Sequence, residues 1–293
     1  MKYSATKHPT EGFRPIQPFF VLSTQTAYLK HCMNAYGISH FYSFTVDQPE
    51  RIPLVVPDAS IDVLFSCGTS ASPKVRVCGS SMSAKTVELE LGQQYFGVRF
   101  NPGFLPGFLP VLPKDLINKE LPLADFSQPA QELSERIADS DHFTERIDLF
   151  LHTYRALLEC RYQPNLCTAL SQLMNQNMGN IRISELEQHT RYSARSINKI
   201  FTDYYGFSPK IYCLILRFQY SLFNITRNRH RNLTSLALNL GYADQSHFLR
   251  EFKKFAAMSP KHFSKIVLDN DYQGHIDPLL EEVFYEMSSI SEQ

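Results

Sequence analysis

Two short stretches late in the chain carry hydrogen-bonding side chains at helical spacing. The first holds Ala194, Arg195, Ser196, Asn198 and Lys199. The second holds Asp244, Gln245, Ser246, His247 and Arg250, followed by Lys253 and Lys254. Residues three and four apart share one face of a helix, so each stretch would present a polar face. Arg, Asn and Gln can make paired hydrogen bonds to the base edges of a DNA major groove, which is wide enough for an α-helix. Lys253, Lys254 and Lys261 suit phosphate oxygens, which orient a protein on DNA without specifying its sequence. This is the chemistry of recognition rather than of bond making. The sequence has no G-x-S-x-G, H-E-x-x-H or Gly-rich phosphate loop, and no pair of carboxylates at catalytic spacing. A metal-binding β domain would need closely spaced histidines followed by Glu and a further His. His31 and His40 stand alone, so neither metal nor cofactor is expected.

The overall charge is zero, with 29 Lys+Arg against 29 Asp+Glu. That balance hides a partition. From Ile181 to Val267 there are 14 basic and 5 acidic residues, a net +9, whereas Leu268 to Gln293 holds seven acids and no Lys or Arg. A basic block of this size in one segment is the footprint of a polyanion-binding module. No apolar run approaches the roughly 18 residues of a membrane span, and the N-terminus lacks a secretory h-region. A cytoplasmic protein without membrane contact is expected. The six cysteines (Cys32, Cys67, Cys78, Cys160, Cys167 and Cys213) form no C-x-x-C pair and are expected as reduced, buried thiols.

The elements that must position the polar stretches repeat. Ile197 matches Phe248, Phe201 matches Phe252, Pro209 matches Pro260 and Tyr212 matches Phe263 at an offset of 51, while Leu186 matches Leu236 at 50. In the first copy Ile183–His189 is predicted as a short helix and Thr190-Arg191-Tyr192 as a turn. Ser193 then caps a helix whose Ile197, Ile200 and Phe201 point to the core. In the second copy Leu233–Leu240 is the first helix, Gly241-Tyr242-Ala243 turns, and Asp244 caps a helix anchored by Phe248 and Phe252. Two helices joined by a tight turn, with a polar start to the second, describe a helix-turn-helix.

Residues 165–267 resemble the DNA-binding domain of the AraC/XylS family of bacterial regulators. The resemblance rests on LALNLGYADQSHFLREFKKFAAMSPKHF, on ISELEQHTRYSARSINKIFTDYYGFSPKIY, and on the connecting stretch LRFQYSLFNI. It implies that Pro209–Asn224 is one rigid helix tethering two recognition helices. These would enter successive major-groove segments about 34 Å apart. Three positions depart from the family pattern: Arg191 stands where Gly is usual, Glu187 replaces a small Ala, and Ser221 replaces Ala. Arg191 is expected to need an altered turn or a negative φ.

Upstream the pattern is that of short strands: His40–Val46, Ile61–Ser66, Lys74–Cys78, Thr86–Leu91 and Tyr95–Phe100, with an irregular Asn101–Pro113. VVPDASIDVLFS and FGVRFNPG resemble a β-rich N-terminal domain of a subgroup of the same family. Asp58 and Asp62 are expected in turns or caps. Arg99 would pair with either or bind an acidic effector. A helical stripe from Leu133 through Ile137, Phe143, Ile147, Phe150, Leu151, Tyr154, Leu157 and Leu158, broken at Asp139–Asp141, serves as core or dimer seam. Leu166, Leu170, Leu173 and Met174 mark a helix closed near Gly179. Leu279, Leu280, Val283, Phe284 and Met287 give an amphipathic acidic helix.

The expected architecture is α+β and multidomain. A sandwich- or barrel-like sensing or dimerisation domain (1–125) precedes a helical linker (126–162). An all-α double helix-turn-helix domain (163–267) and an acidic tail (268–293) follow. The expected function is a non-enzymatic transcriptional activator with double-stranded DNA and RNA polymerase as partners. A homodimer and a small-molecule effector are consistent with the N-terminal domain. Two other classes remain open at this point: an enzyme tethered to DNA, and an architectural binder without sequence preference. The base-reading residues Arg195, Asn198, Gln245 and Arg250 count against the second, because a phosphate-only binder needs just the lysines.

Overall fold

Alternating aromatic and β-branched residues build the first half of the chain. In the computed structural model, which describes residues 14–33, 35–48, 53–68, 73–158, 165–227 and 232–276, eight strands form: β1 (Leu29–Cys32), β2 (Ile38–Thr45), β3 (Leu54–Val55), β4 (Asp62–Cys67), β5 (Val75–Cys78), β6 (Lys85–Thr86), β7 (Gln94–Phe100) and β8 (Glu120–Pro122). Six of them make an antiparallel sheet in the order β1-β2-β7-β4-β5-β8, and β3 pairs with β6. The expected strand Thr86–Leu91 shrinks to Lys85–Thr86: its ladder ends there, and Glu90 and Gly92 turn the chain back into β7.

Side chains alternate across a strand, so β2 sends Phe41 to one face and Tyr42 and Phe44 to the other. Both faces are covered, and every β2 residue except Thr45 is buried. On the first face Phe41, Val63, Phe65, Phe96 and Val98 meet α3 (Ala130–Asp139) and α4 (Phe143–Tyr154), which follow the short α1 (Pro18–Leu22) and α2 (Pro113–Leu116). Phe150 sets its ring edge-on to Phe41 at 5.9 Å and Phe65 at 6.3 Å. The stripe from Leu133 to Tyr154 is thus core within the chain. Its predicted continuation fails at Leu157, which is 49% exposed in a 3-10 turn over Arg155–Leu157.

The second face is shared. Phe20 of α1 stacks on Phe44 at 5.0 Å. Phe19 turns its edge to Phe263, 5.9 Å away in the C-terminal helices. One hydrophobic cluster therefore runs from the sheet into α5 (Asn165–Gln176), α6 (Ile183–Thr190), α7 (Ala194–Tyr205), α8 (Pro209–Thr226), α9 (Leu233–Asn239), α10 (Gln245–Ala256) and α11 (Pro260–Asp269). A polar rivet joins the halves. Gln219, fully buried on α8, accepts from the Ile16 N–H at 2.9 Å and donates to the Pro57 carbonyl at 2.7 Å. The expected acidic helix beyond residue 276 lies outside the described residues, as do Cys160 and the end of the linker. The five described cysteines carry free thiols, four of them buried. Among the described residues no helix is long and apolar enough to cross a membrane.

The helix-turn-helix repeat is visible in its backbone. Arg191 (φ 59°) and Gly241 (φ 74°) close the first helix of each copy, while Gly206 (φ 82°) and Ala257 (φ 58°) close the second. The expectation of a negative φ at Arg191 is corrected: it takes the left-handed conformation where the second copy has Gly. Its N–H donates to the Glu187 carbonyl at 2.8 Å. Glu187 also sends its carboxylate across the turn to the Ala194 N–H. These bonds offset a left-handed strain of roughly 1–2 kcal/mol. Ala257→Gly should relieve the same strain in the second copy and raise stability by up to about 1 kcal/mol. The observable is a higher urea midpoint at unchanged slope. A lower midpoint would show that the Ala257 methyl contributes packing that outweighs the strain.

Candidate nucleic-acid interface

Each polar helix is started by its own cap. Ser193 Oγ accepts from the Ser196 N–H at 3.3 Å, and Asp244 Oδ1 accepts from the His247 N–H at 2.7 Å. Such caps contribute about 1 kcal/mol each, and here they fix where the two polar faces begin. Behind those faces Ile197, Phe201, Phe248 and Phe252 are all at most 1% exposed.

Helix α8 holds both polar helices. Phe201 packs on Tyr212 at 5.5 Å, near the start of α8, and Phe252 packs on Phe218 at 5.3 Å, further along it. A helix of 18 residues is roughly 27 Å long, so α8 can serve as a rigid spacer. Ser208 Oγ caps it at 3.4 Å from the Ile211 N–H, and Pro209 sits at its first position, where a missing N–H costs nothing. Ser221, the departure from Ala, is fully buried and bonds back to the Phe218 carbonyl at 2.6 Å.

The sequence-predicted residues occupy two surfaces. On α7, Arg195 and Lys199 are exposed, and Ala194, Ser196 and Asn198 are half-buried. Asn198 spends one amide hydrogen on the Ala194 carbonyl at 2.9 Å, and Ser196 shares a hydrogen bond with Ser193 at 3.0 Å. On α10, Asp244, Gln245, Ser246, Arg250, Lys253 and Lys254 are exposed and His247 is half-buried. The Asp244 carboxylate works as a cap, and Gln245 accepts from the Thr234 hydroxyl at 2.8 Å, leaving its amide hydrogens on the surface. Arg195, Lys199, Arg250, Lys253 and Lys254 supply the positive charge.

One cluster behind α10 was not foreseen. The buried carboxylate of Glu251 accepts from Tyr242 Oη at 2.7 Å and lies 3.4 Å from an Arg217 nitrogen of α8 and 3.6 Å from His247 Nε2. The Arg217 guanidinium covers the Tyr242 ring at 4.6 Å. Burial first, and then Glu251, raise the Tyr242 hydroxyl well above its ordinary pKa. The nearest sequence signal is an acid inside the basic run LREFKK.

In the β domain, Arg99 is buried at 1% exposure. Its Nε donates to Asp62 Oδ1 at 2.8 Å, a second nitrogen bonds Asp62 Oδ2, and Asp58 lies 3.6 Å away. Burial alone would lower the Arg99 pKa, but Asp62 and Asp58 outweigh it and hold the guanidinium charged. Burial pushes Asp58 up to about 6, against the pull of Arg99. An acidic effector at Arg99 would have to displace Asp62. Among the described residues no cluster of His, Cys, Asp and Glu could hold a metal ion.

A model of a helix-turn-helix domain matches residues 186–266, and one of a domain of unknown function (DUF6597) matches residues 35–122. An uncharacterised HTH-type transcriptional regulator of Haemophilus influenzae is 28% identical over 102 residues, 35% of this chain and 34% of that protein. The chain thus spans about a third of the length of this curated relative. An AraC-type regulator from Chromobacterium violaceum aligns with a TM-score of 0.33 at 18% identity, over 35% of this chain and 91% of that one. ToxT of Vibrio cholerae bound to an unsaturated fatty acid aligns with a TM-score of 0.42 at 14% identity, over 83% and 96%. The second helix-turn-helix signature, the linking helix and all of the first copy except residues 183–185 fall within the matched helix-turn-helix domain, and the residues that match DUF6597 lie in the β-rich first half of the chain.

Proposed function

We propose that this chain regulates transcription by binding a specific DNA sequence, with α7 and α10 entering successive major-groove segments. The observation that carries this reading is the pair of capped helices anchored on one spacer, each turning Arg and Lys outward from a segment of net charge +9. Direct readout falls to Arg195, Asn198, Gln245 and Arg250. Phosphate contacts fall to Lys199, Lys253 and Lys254. Arg250→Ala is expected to weaken specific binding by about 1–3 kcal/mol and to relax one base position. Lys254→Ala should weaken binding to every sequence and reduce the salt slope by about one. Titration of both variants against cognate and scrambled duplexes at two salt concentrations separates the roles. An equal loss for Arg250→Ala on both duplexes would remove it from the readout set.

We further propose a small anionic effector with an apolar body. A cleft of about 410 Å³ lies between the sheet and α8, lined by Arg14, Lys30, Arg227, Tyr28, Phe223 and Ile276 among others. No Asp or Glu lines it among the described residues. Burial first, and then the nearby charges of Lys30, Arg99 and Arg14, lower the pKa of His40 on the cleft wall. Because Lys30 belongs to β1 and Arg227 follows α8, a ligand spanning them would bias how the DNA-binding helices sit on the sheet. A long-chain carboxylate is the natural probe. At 100 times its dissociation constant it should stabilise the protein by about 2.7 kcal/mol, seen as a raised melting temperature, and the rise should vanish in a Lys30→Glu, Arg227→Glu double variant. An equal rise in the double variant would place the ligand elsewhere.

A further inference from the structure

His247 stands out among the residues on the outer face of α10, because its ring reaches both solvent and a buried carboxylate. The side chain is 40% exposed, and Nε2 lies 3.6 Å from Glu251, whose own side chain is 8% exposed. Nε2 is the ring nitrogen that faces the carboxylate, so the opposite edge of the ring, with Nδ1, is the one a surface ligand would meet. A neutral ring with its hydrogen on Nε2 offers only an acceptor at Nδ1, whereas an imidazolium offers a donor on both nitrogens. DNA presents acceptors to a helix in the major groove, namely guanine N7 and O6 and the phosphate oxygens.

We infer that His247 binds DNA as the imidazolium, donating Nδ1–H to an acceptor on the DNA, with Glu251 as the positioning residue that holds its Nε2–H. The inference rests on the DNA-binding reading above and adds a proton to it.

Glu251 favours the cation, as does the Asp244 carboxylate, which accepts the His247 backbone N–H at 2.7 Å. Against them stand Arg217, already engaged with Glu251 at 3.4 Å, and the positive end of α10, which disfavours a cation in the first turn. The Tyr242 ring, edge-on to the imidazole at 5.4 Å, fixes its plane, and the Tyr242 hydroxyl is committed to Glu251. DNA bound against Nδ1 favours the imidazolium, so complex formation takes up a proton. Linkage then fixes the sign: affinity rises as pH falls through the range in which histidine titrates, about 5 to 8.

The test measures dissociation constants of full-length protein for a selected duplex and for a scrambled one between pH 5.8 and 7.8, at fixed ionic strength. Wild type is expected to tighten toward low pH, by up to about tenfold per pH unit where the proton is taken up. His247→Gln, which donates at every pH, should lack that part of the slope while still binding. Glu251→Gln keeps an acceptor for Tyr242 but loses the charge, and should move the transition to lower pH. A slope confined to the selected duplex identifies a base edge as the acceptor, and a slope on both identifies a phosphate. The same slope in wild type and His247→Gln would overturn the inference while leaving DNA binding intact. Absence of binding to any duplex at any pH would overturn the DNA-binding reading and this inference with it.

Discussion

Replacing Arg99 by methionine is expected to destabilise the protein by about 3–5 kcal/mol, the cost of leaving buried carboxylates without their partner. Typical domain stabilities are about 5–15 kcal/mol, so the variant should sit near its folding limit. The geometry sets the size of the effect. Asp62 is engaged by two guanidinium nitrogens and by Tyr42 Oη at 3.0 Å, and Asp58 is held by Gln17 at 2.8 Å and the Ser60 N–H at 2.9 Å. Urea denaturation at pH 7 reads the loss, and a companion Asp62→Asn change in the Arg99→Met background should restore part of it. The pH dependence has a definite sign. Asp58 has a folded pKa of about 6, above its ordinary 3.8. Its contribution to stability is therefore present below about pH 4 and is lost as pH rises through 6. The deficit of Arg99→Met should shrink in acid, where the stranded carboxylates can protonate. A loss under about 1 kcal/mol at pH 7 would mean that the pair is not the keystone described above.

Phe252→Ala is expected to cost about 3–5 kcal/mol as well, and to take DNA binding with it. Phe252 is 1% exposed and packs on Phe218, Phe248 and Phe263 at 5.3, 5.8 and 5.9 Å. Removing it opens a cavity at the joint that fixes α10 on α8, so the polar face loses its orientation even in molecules that remain folded. The neighbouring Lys253→Ala supplies the contrast, with stability changed by less than about 0.5 kcal/mol and DNA binding weakened. Full affinity in a folded Phe252→Ala protein would show that the α8–α10 packing does not position the interface.

The two capped helices were largely legible in the sequence because their geometry depends on local rules. Ser193 and Asp244 announce helix starts by residue type, Pro209 and Pro260 reinforce the starts that follow, and the spacing of Ile197 to Phe201 and of Phe248 to Phe252 marks the buried stripe. What stayed hidden depends on partners far apart in the chain. Gln219 reads as one more polar residue on a helix until Ile16, 203 positions away, supplies its bond. Glu251 reads as a stray acid among lysines until Arg217 and Tyr242 close around it. The strand β1, Leu29–Cys32, has no β-branched residue and is held in place by its pairing with β2. Arg191 shows a different limit. Residue type argued against a left-handed conformation there, and the local hydrogen bonds that Glu187 makes to the Arg191 and Ala194 N–H groups override it.

The shared core has a consequence for regulation. Phe19, Phe20 and Gln219 bind the sheet to the helices that would read DNA, so a ligand in the cleft between them would act on contacts that already exist, not through a loose tether. Regulation by the proposed ligand would need different affinities for two arrangements, and Lys30 and Arg227 are where we propose that difference to arise.

The most direct test of the account is selection of DNA fragments by purified full-length protein from a random pool, followed by titration of the enriched duplex at two salt concentrations. The account predicts one enriched motif with two conserved blocks centred roughly one helical turn, about 34 Å, apart, and a loss of the α10 block alone in Arg250→Ala. Salt-sensitive binding without any enriched motif would contradict it, because charge would then account for all of the affinity and the polar faces of α7 and α10 for none.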